Sequence, residues 1–292
     1  MSKKAWEQYD EMQLEQLELL AKQYRRFLDT GKTERECTRE AICQAEAMGF
    51  VNLADILDGK LPMQSKVYAA AMDKTIALFH LGKQPLEQGM QIVAAHIDSP
   101  RLDLKQHPLY EEAGMAYFDT HYYGGIKKYQ WVTLPLAIHG VVVKKDGTLI
   151  ELNIGENDDD PVIGVTDLLV HLSGEQLEKK GSKVVEGEAL DLLVGNRPLA
   201  GEQKDAVKAF LLKLLNEQYG MEEDDFISAE LEVVPAGKAR DCGLDRSMIM
   251  AYGHDDRVCA YAGLAAFLHT EQQEKTVCCL LVDKEEIGSV GA

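Results

Sequence analysis

Apolar residues recur at helical spacing over the first fifty positions of the chain. Residues 5 to 30 alternate apolar groups with charged ones at this spacing, which predicts an amphipathic helix that ends at Gly31. Thr33 and Glu36 have the spacing of a capping box, and Gly49 is a typical residue just after a helix. We therefore predict a second helix that begins near Thr33.

Three later segments predict a strand, a helix and a strand. Residues 91 to 100, QIVAAHIDSP, are typical of a short buried strand that ends in polar residues and a proline. Residues 257 to 269 predict a helix, and residues 276 to 282 predict a strand that ends at Asp283. Strands and helices in this order favour an α/β sheet flanked by helices, with ligands at the carboxyl edge of the strands.

The region between these segments has a different pattern. From about residue 106 to 240, aromatic and β-branched runs are separated by turns, and Lys145-Asp146-Gly147 is a hairpin signal. One amphipathic helix, residues 206 to 215, interrupts the region. We therefore predict a discontinuous domain, residues 1–105 and 241–292, interrupted by a β-rich insertion at residues 106–240.

Composition narrows the class of protein. The 292 residues are 46% hydrophobic, which is enough for a substantial core. A net charge of −18 argues against nucleic-acid and anionic-membrane partners, because a polyanion would be repelled. The six cysteines form no CxxC pair, which indicates a reducing compartment. The N-terminus resembles neither a signal peptide nor a membrane span, so we expect a cytoplasmic protein.

Histidine and carboxylate side chains stand at the ends of three predicted elements. HIDSP follows a strand, GHDDRV precedes a helix, and DKEE follows the last strand. Each segment alone has an ordinary explanation: a hydrogen-bonded loop histidine, an aspartate that caps a helix, and a pair of solvated glutamates. Adjacent glutamates beyond an apolar strand would repel each other unless a cation lay nearby. The three segments together favour a metal site.

The residue types in these segments suit hydrolytic chemistry. His96 can bind a divalent metal while Asp98, two positions later, orients the imidazole through its second nitrogen. Oxygen and nitrogen ligands without thiolate suit Zn²⁺, Mn²⁺ or Co²⁺, and a carboxylate-bridged pair holds two ions roughly 3.5–4 Å apart. Glu286 can then be a ligand while Glu285 acts as general base. The segments therefore predict metal-assisted hydrolysis.

Four segments together resemble the M18 family of metallo-aminopeptidases, the relatives of aspartyl aminopeptidase: AAHIDSPRLDLK, HYYGGIKKYQWVTLPLAIHG, AYGHDDRVCAY and LVDKEEIGSVGA. The resemblance follows the order of the chain over nearly its whole length. It implies an α/β zinc-peptidase domain interrupted by a β-rich dimerisation domain. It also implies peptide substrates and self-association into dimers that assemble into a dodecamer.

The resemblance also implies a role for each candidate residue. It makes His96 and Glu286 zinc ligands, Asp98 the acid that orients His96, Asp255 the carboxylate that bridges two zinc ions, and Glu285 the general base. His171, in VTDLLVHLS, matches a histidine associated with the metal site, and its place in the inserted domain suggests action across a subunit boundary. Without the resemblance, His171 would be read as a packed or capping residue.

One difference from the family leaves two functions open. Family members continue past the EEIGS motif and supply a further acidic ligand and a final histidine, whereas the last histidine here is His269 in a predicted helix. The resemblance therefore implies a truncated chain with an incomplete dinuclear site. The first function is a zinc-dependent aminopeptidase that removes N-terminal residues from peptides. The alternative is a catalytically inactive truncated homologue that retains only the assembly domain.

Overall fold

The chain forms two compact units in the computed structural model, which describes residues 4–56, 61–271 and 273–291. The first unit comprises Met1–Ser99 and Lys238–Ala292, and the second comprises Pro100–Gly237. No helix within the described residues has both the length and the apolar character needed to cross a membrane.

The regular elements occur along the whole chain. The helices are α1 (Glu11–Thr30), α2 (Glu34–Ala47), α3 (Gly174–Leu177), α4 (Ala206–Tyr219) and α5 (His254–Leu268). The strands are β1 (Val51–Asn52), β2 (Lys66–Ala71), β3 (Thr75–His80), β4 (Met90–His96), β5 (Arg101–Glu112), β6 (Met115–Tyr123), β7 (Leu136–Val143), β8 (Leu149–Ile154), β9 (Leu192–Gly195), β10 (Ala229–Pro235), β11 (Arg240–Cys242), β12 (Met248–Met250) and β13 (Thr276–Val282). Short 3₁₀ helices lie at Ala5–Glu7, Leu53–Ile56, Leu86–Gln88, Lys128–Gln130, Gly187–Ala189 and Glu223–Ser228.

The first unit is built on a mixed sheet with the strand order β1-β2-β3-β13-β4. β1 is parallel to β2 and β13 is parallel to β4, while the other neighbouring pairs are antiparallel. Buried side chains from α1, α2 and α5 pack with those of the strands in one core, which includes Phe27, Cys37, Ile76, Leu264 and Leu281. The predicted α/β class, a mixed sheet with helices, is confirmed.

The ends of the first two helices follow from local hydrogen bonding. The predicted helix over residues 5 to 30 begins only at Glu11, because Asp10 caps it and a separate 3₁₀ turn precedes it. Thr33 caps α2 as predicted: Glu36 N donates to Thr33 Oγ1 at 3.2 Å, and Thr33 N donates to the Glu36 carboxylate at 3.0 Å. This capping box fixes the start of α2.

The prediction of a buried strand at residues 91 to 100 is wrong for most of β4. Within the described residues, β4 is the last strand of its sheet and pairs with β13 alone. Met90, Ile92 and Val93 are exposed, Ile92 by 61%. The side chains of a strand point to the two faces of the sheet and are buried only where another layer packs on that face, which an apolar run does not by itself reveal.

The second unit is an antiparallel sheet with the strand order β8-β7-β10-β5-β6-β9. The predicted hairpin is confirmed, because β7 and β8 pair antiparallel on either side of a turn that contains Lys145, Asp146 and Gly147. The predicted amphipathic helix is α4, and its side chains Leu211 and Leu215 pack against the buried cluster of this sheet. The role of this unit in dimerisation stays a prediction.

Candidate metal centre

Two parallel strands bring the first and last candidate segments to one edge of the sheet. β4 and β13 are neighbours, and their register pairs Val282 with His96. Asp98 therefore follows β4 at the same edge where Glu285 and Glu286 follow β13. Parallel neighbouring strands place their carboxyl ends together, which is where α/β proteins collect their ligands.

The third candidate segment separates two roles that the sequence left open. Asp255 and Asp256 lie at the start of α5 with non-helical backbone torsions, and the peptide that joins them is cis. The Asp256 carboxylate accepts from Cys259 N at 3.3 Å, as a capping aspartate does. The Asp255 carboxylate instead lies 3.4 Å from His96 Nε2. Asp256 thus caps the helix, and Asp255 is placed as a metal ligand would be.

Three side chains converge in a geometry that a metal ion can bridge. One ligand atom from each of His96, Asp255 and Glu286 lies within 4.8 Å of the other two. Glu285 is next to this cluster, with its carboxylate 3.7 Å from His96 Nε2. The structure therefore brings these four predicted site residues together, and a fifth, Asp98, contacts His96.

Asp98 connects the histidine to the glutamate loop. Its carboxylate is fully buried and lies 3.3 Å from His96 Nδ1. The same carboxylate accepts from the main-chain N–H of Glu285 at 3.3 Å and of Glu286 at 3.1 Å. A single buried acid thus holds both the imidazole and the backbone of the two glutamates, in line with the outer-shell role of carboxylates at metal-binding histidines.

The donor set fits zinc. The Asp98 carbonyl oxygen lies 3.0 Å from His96 Nδ1 and the Asp98 carboxylate lies close by, so we assign the ring proton to Nδ1. This tautomer leaves the lone pair of Nε2, which lies 3.4 Å from the Asp255 carboxylate, available to a metal. Imidazole nitrogen and carboxylate oxygen are both ligand types that bind Zn²⁺ in proteins.

The acid–base properties of the cluster also suit a cation. Burial disfavours the imidazolium of His96, but the hydrogen bond to Asp98 and the surrounding carboxylates outweigh it and raise the pKa of His96. Burial, followed by the negative charge of Asp255, raises the pKa of Glu286. Neighbouring carboxylates contribute to both shifts, and a bound metal would neutralise their negative charge in place of protons.

Ser99 lies in the HIDSP motif but was not among the predicted site residues. Its Oγ donates to the main-chain oxygen of Asp255 at 2.6 Å. Tyr252 Oη in turn donates to the main-chain oxygen of Ser99 at 3.5 Å. Ser99 therefore fixes the backbone that carries Asp255. Its position beside the candidate histidine was the signal in the sequence.

His171 lies apart from the other candidates in the chain and belongs to the second unit. It is exposed, in a turn between Leu169 and Ser173. It is not among the three residues that form the cluster. Its association with the metal site stays a prediction.

The chain matches a known family model over residues 27–292, that of the aminopeptidase I zinc metalloproteases, M18. A probable M18 family aminopeptidase 1 from Clostridium acetobutylicum is 57% identical over 99% of this chain and 63% of its own length. This chain thus spans less than two thirds of that relative.

Solved structures share the fold. The crystal structure of an M18 aminopeptidase from Thermotoga maritima is similar with a TM-score of 0.93 and 48% identity, over 100% of this chain and 63% of that one. A dodecamer of mApe1 from Saccharomyces cerevisiae has a TM-score of 0.68 and 21% identity, over 93% of this chain and 62% of that one. At that identity the second likeness concerns the fold alone.

Proposed function

Because the chain belongs to the M18 family of zinc metalloproteases, we propose that the protein is a zinc-dependent aminopeptidase that removes N-terminal residues from peptides. The observation that carries the proposal is the convergence of His96, Asp255 and Glu286, with Glu285 beside them. The family match runs through both units, which argues against the alternative of an inactive homologue that retains only the assembly domain.

The proposed reaction assigns a separate task to each acid. Zinc, when bound, supplies Lewis acidity that lowers the pKa of water and polarises the scissile carbonyl. Glu285, whose side chain is 61% exposed, has access to substrate and takes the proton from the attacking water, then returns it to the leaving amine. Asp98 keeps the two glutamates and the His96 ring in place through its three contacts.

We propose two ions per site, with Asp255 as the bridging ligand. The Asp255 side chain is 81% exposed and lies on the open side of His96, so both of its oxygens can bind metal. His96 and Glu286 would supply one donor atom each, and the ligand atoms of all three residues lie within 4.8 Å of one another. Three residues do not fill the four positions that each zinc ion takes, so water, substrate or further protein groups complete the site.

Metal removal tests the proposed function. We expect the complete protein to cleave an aminoacyl p-nitroanilide, to lose that activity after dialysis against a chelator, and to regain it with Zn²⁺, Mn²⁺ or Co²⁺. The matched control is the same substrate with an acetylated amino group, which an aminopeptidase does not cleave. Chelator-resistant activity, or equal cleavage of the acetylated substrate, would contradict the proposal.

We also propose self-association through the segment that contains His171. Leu168, Leu169, Val170 and Leu172 are each exposed by more than half, and Val170 by 70%. A run of exposed apolar side chains is typical of a surface that a partner covers. The assembly of the yeast dodecamer with the same fold supports a homo-oligomer, as a dimer or a dodecamer of this chain.

A mixing experiment tests whether His171 acts in a neighbouring subunit's site. We expect His171→Ala and Glu285→Gln homo-oligomers to be nearly inactive, whereas their co-expression should restore activity. A mixed dimer pairs an intact Glu285 with an intact His171 at one of its two sites, so about a quarter of wild-type activity is expected for random pairing. Co-expressed chains that stay inactive, beside a co-expressed wild-type and Glu285→Gln control that is active, would place His171 outside the neighbour's site.

The cellular setting also remains our proposal. The six cysteines are unpaired, in keeping with a reducing compartment, and we propose the cytoplasm. The net charge of −18 favours peptides over nucleic acids or anionic membranes as partners.

A further inference from the structure

Arg257 is a buried charged residue for which the proposed reaction has no task. It lies in α5 two positions after Asp255, and only 1% of it is exposed. Burying a guanidinium is unfavourable unless its N–H groups are well satisfied by acceptors. The acceptors of this side chain therefore indicate which segments it holds together.

The guanidinium joins three segments of the first unit. Its Nε donates to the main-chain oxygen of Ile97 at 3.2 Å, and its Nη2 donates to the main-chain oxygen of Lys32 at 2.8 Å. Ile97 is the residue between His96 and Asp98, and Lys32 lies between α1 and α2. Arg257 thus ties the loop after β4 to the start of α5 and to the N-terminal helices.

Gly253, which precedes α5, has no room for a side chain beside the guanidinium. Gly253 has φ of +84°, and a Cβ at that position would collide with Arg257 Nη1. The ring of Tyr252 lies 5.4 Å from the guanidinium carbon. Tyr252 and Gly253, just before α5, therefore leave space for the guanidinium of Arg257 in one orientation.

We infer that Arg257 is a positioning residue of the proposed metal centre, and this inference rests on the proposed function. By holding the Ile97 carbonyl, it fixes the peptide that joins Ile97 to Asp98, directly after His96. Because the same side chain starts two residues after Asp255, it also fixes the separation between His96 Nε2 and the Asp255 carboxylate, 3.4 Å in this structure.

The chemistry of arginine explains why this residue type is needed. The two carbonyl groups are reached by different nitrogens of one planar group. Lysine has a single terminal nitrogen on a flexible chain, which cannot reproduce a rigid two-point contact. Arg257→Lys therefore keeps the charge and removes the geometry.

The test uses Co²⁺ as the probe, because its visible absorption reports the arrangement of its ligands. In the complete protein, we expect Arg257→Lys to weaken Co²⁺ binding about 10–100-fold, as loss of an outer-shell partner does. The Co²⁺ absorption spectrum should change, and kcat should fall more than KM rises. Circular dichroism at the assay temperature shows that the variant is folded.

Arg101 supplies the matched control. It is also buried, with 3% exposed, and pairs with Asp103 at 2.7 Å and Glu232 at 3.1 Å in the second unit. We expect Arg101→Lys to lower thermal stability but to leave the Co²⁺ spectrum and affinity unchanged. If Arg257→Lys behaves in the same way, Arg257 is only structural and the inference is overturned.

A second variant covers the case in which Arg257→Lys does not fold. Gly253→Ala places a Cβ against Arg257 Nη1 and also strains the backbone at φ of +84°, so it disturbs the guanidinium without removing it, and we expect the same change in the Co²⁺ spectrum. A folded Gly253→Ala protein with the wild-type spectrum and affinity would overturn the inference. Wild-type protein that binds no Co²⁺ would overturn both the inference and the proposed function. Wild-type protein that binds Co²⁺, beside variants that do not differ from it, would overturn the inference alone.

Discussion

Replacement of Glu285 by glutamine is expected to lower kcat by roughly 10²–10⁴-fold, the usual contribution of a general base. The amide keeps the size of the side chain and loses the ability to take a proton. Metal content should stay at the wild-type value, because the cluster of His96, Asp255 and Glu286 is unaltered. Steady-state kinetics and elemental analysis on the same preparation measure both quantities.

Glu87→Gln is a suitable control for this experiment. Glu87 lies in a short 3₁₀ helix before β4 and is exposed, so the same chemical change should leave kcat unaltered. If Glu285→Gln loses metal together with activity, Glu285 is a ligand. The division of labour between the two adjacent glutamates would then be wrong.

Replacement of His96 by alanine is expected to weaken metal binding, whereas replacement of Glu285 by glutamine should leave it unchanged. His96→Ala eliminates the nitrogen donor of the cluster, so zinc should bind more weakly by more than the ~10–100-fold that loss of an outer-shell partner causes. Activity at limiting zinc should fall with it. Titration with zinc, followed by competition with a chromophoric chelator, measures the change in affinity.

His107→Ala controls for the loss of a histidine as such. His107 is an exposed residue of β5 in the second unit, and its removal should leave the zinc affinity unchanged. Wild-type affinity in the His96→Ala variant would remove His96 from the ligand set. The tautomer assigned from its contacts to Asp98 would then have no role in metal binding.

Local signals in the sequence were sufficient for several elements. The capping box at Thr33 depends on two side chains three residues apart, and the hairpin around Gly147 depends on a turn that glycine favours. The hydrophobic run at residues 276 to 282 coincides with β13. Each of these features is decided by neighbours within a few positions, which a sequence pattern records directly.

The sequence pattern did not predict the hairpin of β2 and β3, because its turn carries no local signal. Its turn contains Met72 and Asp73 with φ of 51° and 57°, a left-handed conformation that non-glycine residues seldom adopt. No glycine or proline marks the turn. The pairing of the two strands holds it in place, and that pairing is not visible in the turn sequence.

For the candidate site, the sequence by itself determined which residues stand at the ends of elements: His96 after β4, Asp255 at the start of α5, and the two glutamates after β13. Local patterns of apolar and polar positions define where elements end, so this much is encoded locally. The tertiary structure alone decided that β13 lies beside β4 and that Asp98 accepts from both glutamate N–H groups. Strand order and the partners of a buried carboxylate depend on contacts between residues far apart in the chain, and no local pattern specifies them.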